Sequence, residues 1–218
     1  MKKPEAVVFD MDGIIFDSEA CVIETWKIIA DKYGIEDIEA ACRACLGLNN
    51  VASEQVMYER YGKDFPYKEY TEERRAIYHE KYDGGRLPMK PGVNELLEYL
   101  KNQGIKIALA SSTRSQTVIS ELTDAGIIGY FDKVVCGDMV KNSKPDPEIF
   151  TKACELLGVK PENAIAIEDS FNGIRSAYAA GMNVIMVPDL MEPDDEMREK
   201  TVCIQKSLFE VKELLQNI

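Results

Sequence analysis

From Pro91 onward the chain repeats one pattern: an amphipathic stretch, a glycine, then a short run of aliphatic and β-branched residues. VNELLEYLKNQ stops at Gly104 and runs into IKIALA (105–110), and SQTVISELTDA stops at Gly126 ahead of KVVC (133–136). PEIFTKACELL ends at Gly158 before AIAIE (164–168), and NGIRSAYAA ends at Gly181 before NVIMV (183–187). Glycine just past the last turn is the common left-handed stop of a helix. Strands that are apolar at nearly every position, rather than every second one, are those covered by helices on both faces. With AVVF (6–9) at the start and TVCI (201–204) as a short final strand, the pattern predicts an α/β fold built on a doubly wound parallel sheet.

One region breaks the rhythm. Between about Ser18 and Leu87 only helical patterns occur: EACVIETWKIIADKYG, IEAACRACLG, VASEQVMYERYG and YKEYTEERRAIYHEKY. That is too much chain for a strand-to-strand crossover. An all-helical cap subdomain at 17–87 is therefore expected, inserted into a core of 1–16 and 88–218, with hinges near Asp17 and Pro88. In open α/β sheets ligands bind beyond the carboxyl ends of the strands. An insertion placed straight after the first strand is expected to stand over such a site.

Composition removes several function classes. The 218 residues carry 38 acidic against 26 basic side chains, a net charge of −12. Nucleic-acid backbones and anionic membranes need a basic footprint, so neither partner is expected. A small anionic ligand needs only a local positive site. The start, MKKPEAVVFD, lacks the apolar run of a signal peptide, and no stretch approaches the ~18 apolar residues of a membrane span. A cytoplasmic protein is the expectation, with six scattered cysteines as free thiols. Cys42 and Cys45 have metal or redox spacing, but they lack a second such pair and a nearby histidine, and packing is the expected role. The single histidine, His79, lies in a charged helical run. A multi-histidine zinc site is thereby excluded, and carboxylates, hydroxyls and lysines must do the chemistry.

The strand ends supply those groups. Asp10 and Asp12 follow AVVF, with Gly13 allowing a tight turn. Two carboxylates that close repel, so one takes up a proton or a cation lies between them. Either a divalent metal or a nucleophile-and-acid pair satisfies that condition. ALA continues into Ser111, Ser112 and Thr113; KVVC leads to Lys144-Pro145; AIAIE ends in Glu168-Asp169. In one parallel sheet these ends gather on a single rim. The rim would collect oxygen ligands suited to a hard cation such as Mg²⁺, a hydroxyl near backbone N–H groups able to hold phosphate, and one fixed positive charge. Phosphoryl transfer asks for little beyond positioning and charge neutralisation.

The four motifs, in the order Asp-x-Asp-Gly, Ser/Thr, Lys-Pro and Glu-Asp, resemble the haloacid dehalogenase superfamily across the core. FDMDGIIFDSE, ALASSTR, SKPDPEIF and EDSFNGIRSAYAAGM are similar to the branch holding β-phosphoglucomutases and small sugar-phosphate phosphatases. The resemblance implies a Mg²⁺-dependent phosphatase acting on a small phosphorylated metabolite, in which Asp10 attacks phosphorus and forms an aspartyl-phosphate. It implies that Asp12 is the general acid and then base. Asp10, the Asp12 main-chain carbonyl, Asp169 and Glu168 would form the metal shell; Ser111 and Lys144 would bind the phosphoryl group, with Ser112, Arg114 and Asn172 as further contacts. Mutases of this branch usually carry a histidine in the first cap helix. The matching stretch, Glu19 to Glu24, has none, which favours water over a sugar hydroxyl as acceptor. The loop from Cys45 to Asn49 resembles the cap loop that faces the site, with Asn49 or Asn50 as its polar reach. The alternatives are a phosphosugar mutase and a non-catalytic binding protein of the same fold. A monomer whose cap opens and closes is expected.

Overall fold

The structure is a computed structural model that describes residues 2–45 and 50–218. The chain forms two compact units, the first broken after Asp17 and resumed at Pro88, the second running Ser18–Leu87. The first unit carries six strands: β1 (Ala6–Phe9), β2 (Lys106–Ser111), β3 (Lys133–Cys136), β4 (Ala164–Glu168), β5 (Asn183–Met186) and β6 (Cys203–Ile204). All pairings are parallel and the order is β3-β2-β1-β4-β5-β6. The order reverses beside β1, which lies between β2 and β4. Ligands of open α/β sheets bind at such a reversal.

The helices are α1 (Ser18–Tyr33), α2 (Ile38–Ala44), α3 (Asn50–Tyr61) and α4 (Tyr67–Tyr82) in the second unit. In the first they are α5 (Val93–Asn102), α6 (Ser115–Asp124), α7 (Glu148–Leu157), α8 (Phe171–Ala179), α9 (Asp195–Lys200) and α10 (Leu208–Gln216). Successive residues of a strand point to opposite faces, and the two faces here are built differently. Ala6, Val8, Ala108, Ala110, Ala164 and Ala166 share one cluster with Ile149, Phe150 and Leu157 of α7 and Ile174 of α8. Their neighbours on the other face, Val7, Phe9, Ile107, Leu109, Ile165 and Ile167, are larger and equally buried. Small strand residues thus meet bulky helix residues on the α7–α8 side, which lets the helices seat close to the sheet.

Two helices were not foreseen. In α9 the Asp194 side chain accepts from the Met197 N–H at 2.8 Å, and in α10 Ser207 accepts from the Glu210 N–H at 3.3 Å. The run Ser207-Leu208-Phe209-Glu210 has the Ser-x-x-Glu spacing of a capped helix start and was readable as one. The final strand is shorter than TVCI, holding only Cys203 and Ile204.

In the second unit α1 and α4 pack through an aromatic cluster. Tyr70 lies 5.3 Å from Trp26, 5.4 Å from Tyr33 and 5.5 Å from Phe65 between ring centroids, and its hydroxyl donates to the Trp26 carbonyl. Cys42 is buried and Cys45 points its thiol at the Ser53 carbonyl. Burial pushes the Cys42 thiol up to about 11 and raises Cys45 as well, so neither is a ready thiolate. The six cysteines are free. The loop with Asn49 lies outside the described residues, as does the side chain of Asn50.

The two crossings between the units hydrogen-bond to each other. The Asp17 N–H donates to the Pro88 carbonyl and the Lys90 N–H to the Ile15 carbonyl, both at 2.9 Å. The Lys90 ammonium then reaches Asp189 at 2.5 Å, just past β5, and Asp17 at 3.5 Å. Among the described residues no helix is long and apolar enough to cross a membrane.

Candidate active site

Asp10 is the first residue past β1, and its N–H still donates to the Ile167 carbonyl of β4 at 3.0 Å. The strand ladder therefore fixes where its carboxylate emerges, beside the reversal of strand order. The chain then turns sharply, with the Ile15 N–H on the Met11 carbonyl and the Gly13 N–H on the Phe16 carbonyl. Gly13 has φ +79°, and a Cβ built there would lie 2.7 Å from Cγ of Asp169. Any side chain would therefore push the Asp169 carboxylate away as well as strain the backbone.

Glu168 closes β4 with no solvent exposure. Its Oε2 accepts from the Asp169 N–H, the Ser170 N–H and the Ser170 hydroxyl, each at 3.0 Å. Its Oε1 accepts from Lys144 at 2.7 Å, and the same ammonium donates to Oδ1 of Asp10 at 2.6 Å. Ser170 caps α8 by accepting from the Gly173 N–H. Gly173 is itself a close approach, since a Cβ there would overlap the Glu168 carboxylate. Lys144 sits over the Phe150 ring, with Nζ 5.0 Å from its centroid.

Carboxylate oxygens of Asp10, Glu168 and Asp169 lie within 4.8 Å of one another, all three residues buried. Burial pushes the Asp10 carboxyl up to about 8 against the pull of Lys144, with Glu168 and Asp12 raising it further. Lys144 moves the other way from its own desolvation: Asp10 and Glu168 hold the ammonium above its usual range. An ammonium 2.6 Å and 2.7 Å from two carboxylates keeps its proton. The surplus negative charge must then be met by a proton on Asp10 or by a cation among the three carboxylates. An all-oxygen set of this kind fits a hard divalent cation.

The loop after β2 lies next to this cluster. Ser111 is fully buried, and its Oγ accepts from the Thr113 N–H at 3.0 Å. The Thr113 hydroxyl donates to Oδ2 of Asp12 at 3.1 Å. Ser112 and Arg114 are exposed on the same loop, Arg114 being the residue before α6. Asn172 sits in the first turn of α8, where its Oδ1 accepts from Arg175 at 3.3 Å. Thr113 was passed over as a site residue. Its signal was slight: a third hydroxyl residue in a row after a strand.

A protein-family model described as haloacid dehalogenase-like hydrolase matches residues 7–187. A phosphorylated carbohydrates phosphatase of Thermotoga maritima is 36% identical over 186 residues, covering 83% of each chain. A beta-phosphoglucomutase of Bacillus subtilis is 33% identical, covering 84% of this chain and 83% of its own. The crystal structure of a beta-phosphoglucomutase from Clostridium difficile superposes with a TM-score of 0.72 at 28% identity, over 98% of this chain and 97% of that one.

Proposed function

The chain belongs to the haloacid dehalogenase-like hydrolases, and we propose that within that family it is a Mg²⁺-dependent phosphatase of a small phosphorylated carbohydrate. The observation that carries this reading is Lys144, buried between Asp10 and Glu168, with Asp169 completing the cluster. A nucleophilic carboxylate attacking a phosphate ester brings two anions together. The buried ammonium and a divalent cation are what make that approach tolerable.

In this reading Asp10 attacks phosphorus as the ester P–O bond breaks, and Asp12 gives its proton to the departing oxygen. The alcohol leaves an aspartyl-phosphate on Asp10. Asp12, now ionised, takes a proton from water as that water attacks phosphorus. The bond to Asp10 breaks, inorganic phosphate departs and Asp12 is protonated again. Lys144 and the Ser111 hydroxyl neutralise and orient the phosphoryl oxygens, with Ser112, Arg114 and Asn172 as outer contacts. Mg²⁺ would be held by Asp10, Asp169, Glu168 and the Asp12 carbonyl, and it would offset phosphoryl charge. Glu168 already gives both oxygens to other donors. Its share in the reading is to anchor Lys144 and the start of α8 as much as to face the metal.

The test is phosphate release from a panel of sugar phosphates and other small monoesters, with Mg²⁺ or EDTA, for wild type and Asp10→Asn. Mg²⁺-dependent release that disappears in Asp10→Asn supports the reading. The beta-phosphoglucomutase relative keeps the mutase as the second reading. No release across the panel, with glucose 1-phosphate isomerised when primed by a bisphosphate, would replace the phosphatase with the mutase.

A further inference from the structure

We propose that Thr113 is a positioning residue for the general acid, holding the Asp12 carboxyl in one orientation through Oδ2. The inference rests on the phosphatase reading above and goes beyond it in assigning a group outside the four motifs. Three hydrogen bonds define the residue. Its hydroxyl donates to Oδ2 of Asp12 at 3.1 Å, its N–H donates to the Ser111 hydroxyl oxygen at 3.0 Å, and its carbonyl accepts from the Gly137 N–H at 3.0 Å. The carbonyl contact ties the loop to the chain leaving β3. Two residues on, the Ser115 hydroxyl and N–H both donate to Oδ1 of Asp138, at 2.6 Å and 3.0 Å. Burial lies behind the loop as well, since Ser111 is fully enclosed. The hydroxyl is therefore presented from a backbone held on both sides, and it is not a wandering surface group.

The chemistry follows from the direction of the bond. A carboxyl group has two oxygens, and a general acid works only if the protonated one faces the departing oxygen. A hydroxyl donating to Oδ2 restrains rotation of the carboxyl, so the acid meets the departing oxygen in one orientation. The P–O bond breaks, the proton moves from the Asp12 carboxyl to the ester oxygen, and the charge left on Asp12 is met by the same Thr113 hydrogen bond. Because the Thr113 N–H also holds the Ser111 hydroxyl oxygen, one residue sets the acid in register with the proposed phosphate contact.

The experiment compares kcat/KM for two aryl esters of similar shape, phenyl phosphate and p-nitrophenyl phosphate, in wild type, Thr113→Val and Thr113→Ser. This ratio reports steps up to leaving-group release. Phenolate needs the proton far more than p-nitrophenolate does. Valine removes the hydroxyl at nearly constant volume and should cost roughly 10- to 100-fold on phenyl phosphate, part of the ~10²–10⁴ that a general acid contributes, but under about threefold on p-nitrophenyl phosphate. Serine restores the hydroxyl and should recover most of the loss. An equal loss on both esters, or no recovery by serine, overturns the assignment while leaving the phosphatase intact. A wild type inactive on both esters and on the sugar-phosphate panel overturns the phosphatase reading and the assignment with it. Should the valine variant fold poorly by its unfolding midpoint, Thr113→Ala carries the same comparison.

Discussion

Lys144→Met is the perturbation whose size can be worked most directly from the geometry. Methionine keeps the length of the stem and removes the ammonium. Oδ1 of Asp10 and Oε1 of Glu168 then lose their donor in a place where those side chains are 10% and 0% exposed. Removing one partner of a buried ion pair costs roughly 3–5 kcal/mol. At pH 8, where Asp10 is substantially ionised, two carboxylates depend on this cation, so a loss near the upper figure, about 5 kcal/mol, is expected. For a chain of this length each kcal/mol moves the midpoint by roughly 2–4 °C, giving a drop of about 10–20 °C. The assay is calorimetry in EDTA, because the only tryptophan, Trp26, lies in the helical unit and its fluorescence reports there.

The pH dependence has a definite sign. Asp10 is raised in the fold, to about 8, above its unfolded value of ~3.9. A carboxyl raised in this way favours the fold below its unfolded pKa, and that contribution fades as pH rises toward the folded value. Loss of Lys144 removes the pull that holds the Asp10 carboxyl down, so the deficit should widen from pH 5 to pH 8 as wild-type Asp10 ionises. Adding Glu168→Gln should restore part of the stability, since it removes one of the stranded charges. A Lys144→Met midpoint within a few degrees of wild type at pH 8 in EDTA would refute the reasoning.

Two further outcomes follow from close contacts. Gly13→Ala forces a side chain at φ +79° and against Asp169, so the Mg²⁺ concentration for half-maximal phosphate release should rise roughly 10- to 100-fold, as for groups that orient metal ligands; an unchanged activation curve would contradict it. Burial pushes Cys42, Cys136 and Cys154 up to about 11, so iodoacetamide at pH 7.5 should label them only after denaturation. Fast labelling of native protein at Cys42 would show that the Cys42–Cys45 pair is more than packing.

What could be read from the chain itself was whatever repeats with a short period. The glycine stops and continuous apolar runs located β1 to β5 within a residue or so, because a strand covered on both faces has no polar position to blur it. The strand ends then placed Asp10, Lys144 and Glu168 near one another by topology alone. Helix α9 escaped because its start, Asp194 to Glu196, is an acidic run typical of a loop, whereas the Ser207 start of α10 was legible and was passed over. The commitments of Glu168 were also beyond the sequence. That Oε2 takes three donors from the start of α8, and Oε1 takes Lys144, depends on rotamers and on how closely Gly173 lets the helix approach. Thr113 escaped for a similar reason. A hydroxyl after a strand is common, and only the path of the loop toward Asp12 distinguishes this one.

The pairing of Asp17 with Pro88 and of Ile15 with Lys90 has a consequence for how such a chain changes over time. The polypeptide leaves the sheet and comes back to the same spot, so the helical unit is, in topological terms, the contents of one loop. Closing a loop of roughly seventy residues rather than four costs only about 2–3 kcal/mol in chain entropy, at ~0.6 kcal/mol per doubling of length. Among the described residues, 18–87 supply no strand to the sheet, and every strand pairing lies outside them. Recombination can therefore exchange the contents of that loop as a cassette while Asp10, Lys144, Glu168 and Asp169 keep their places. One unit can drift in sequence quickly, and the other need not follow.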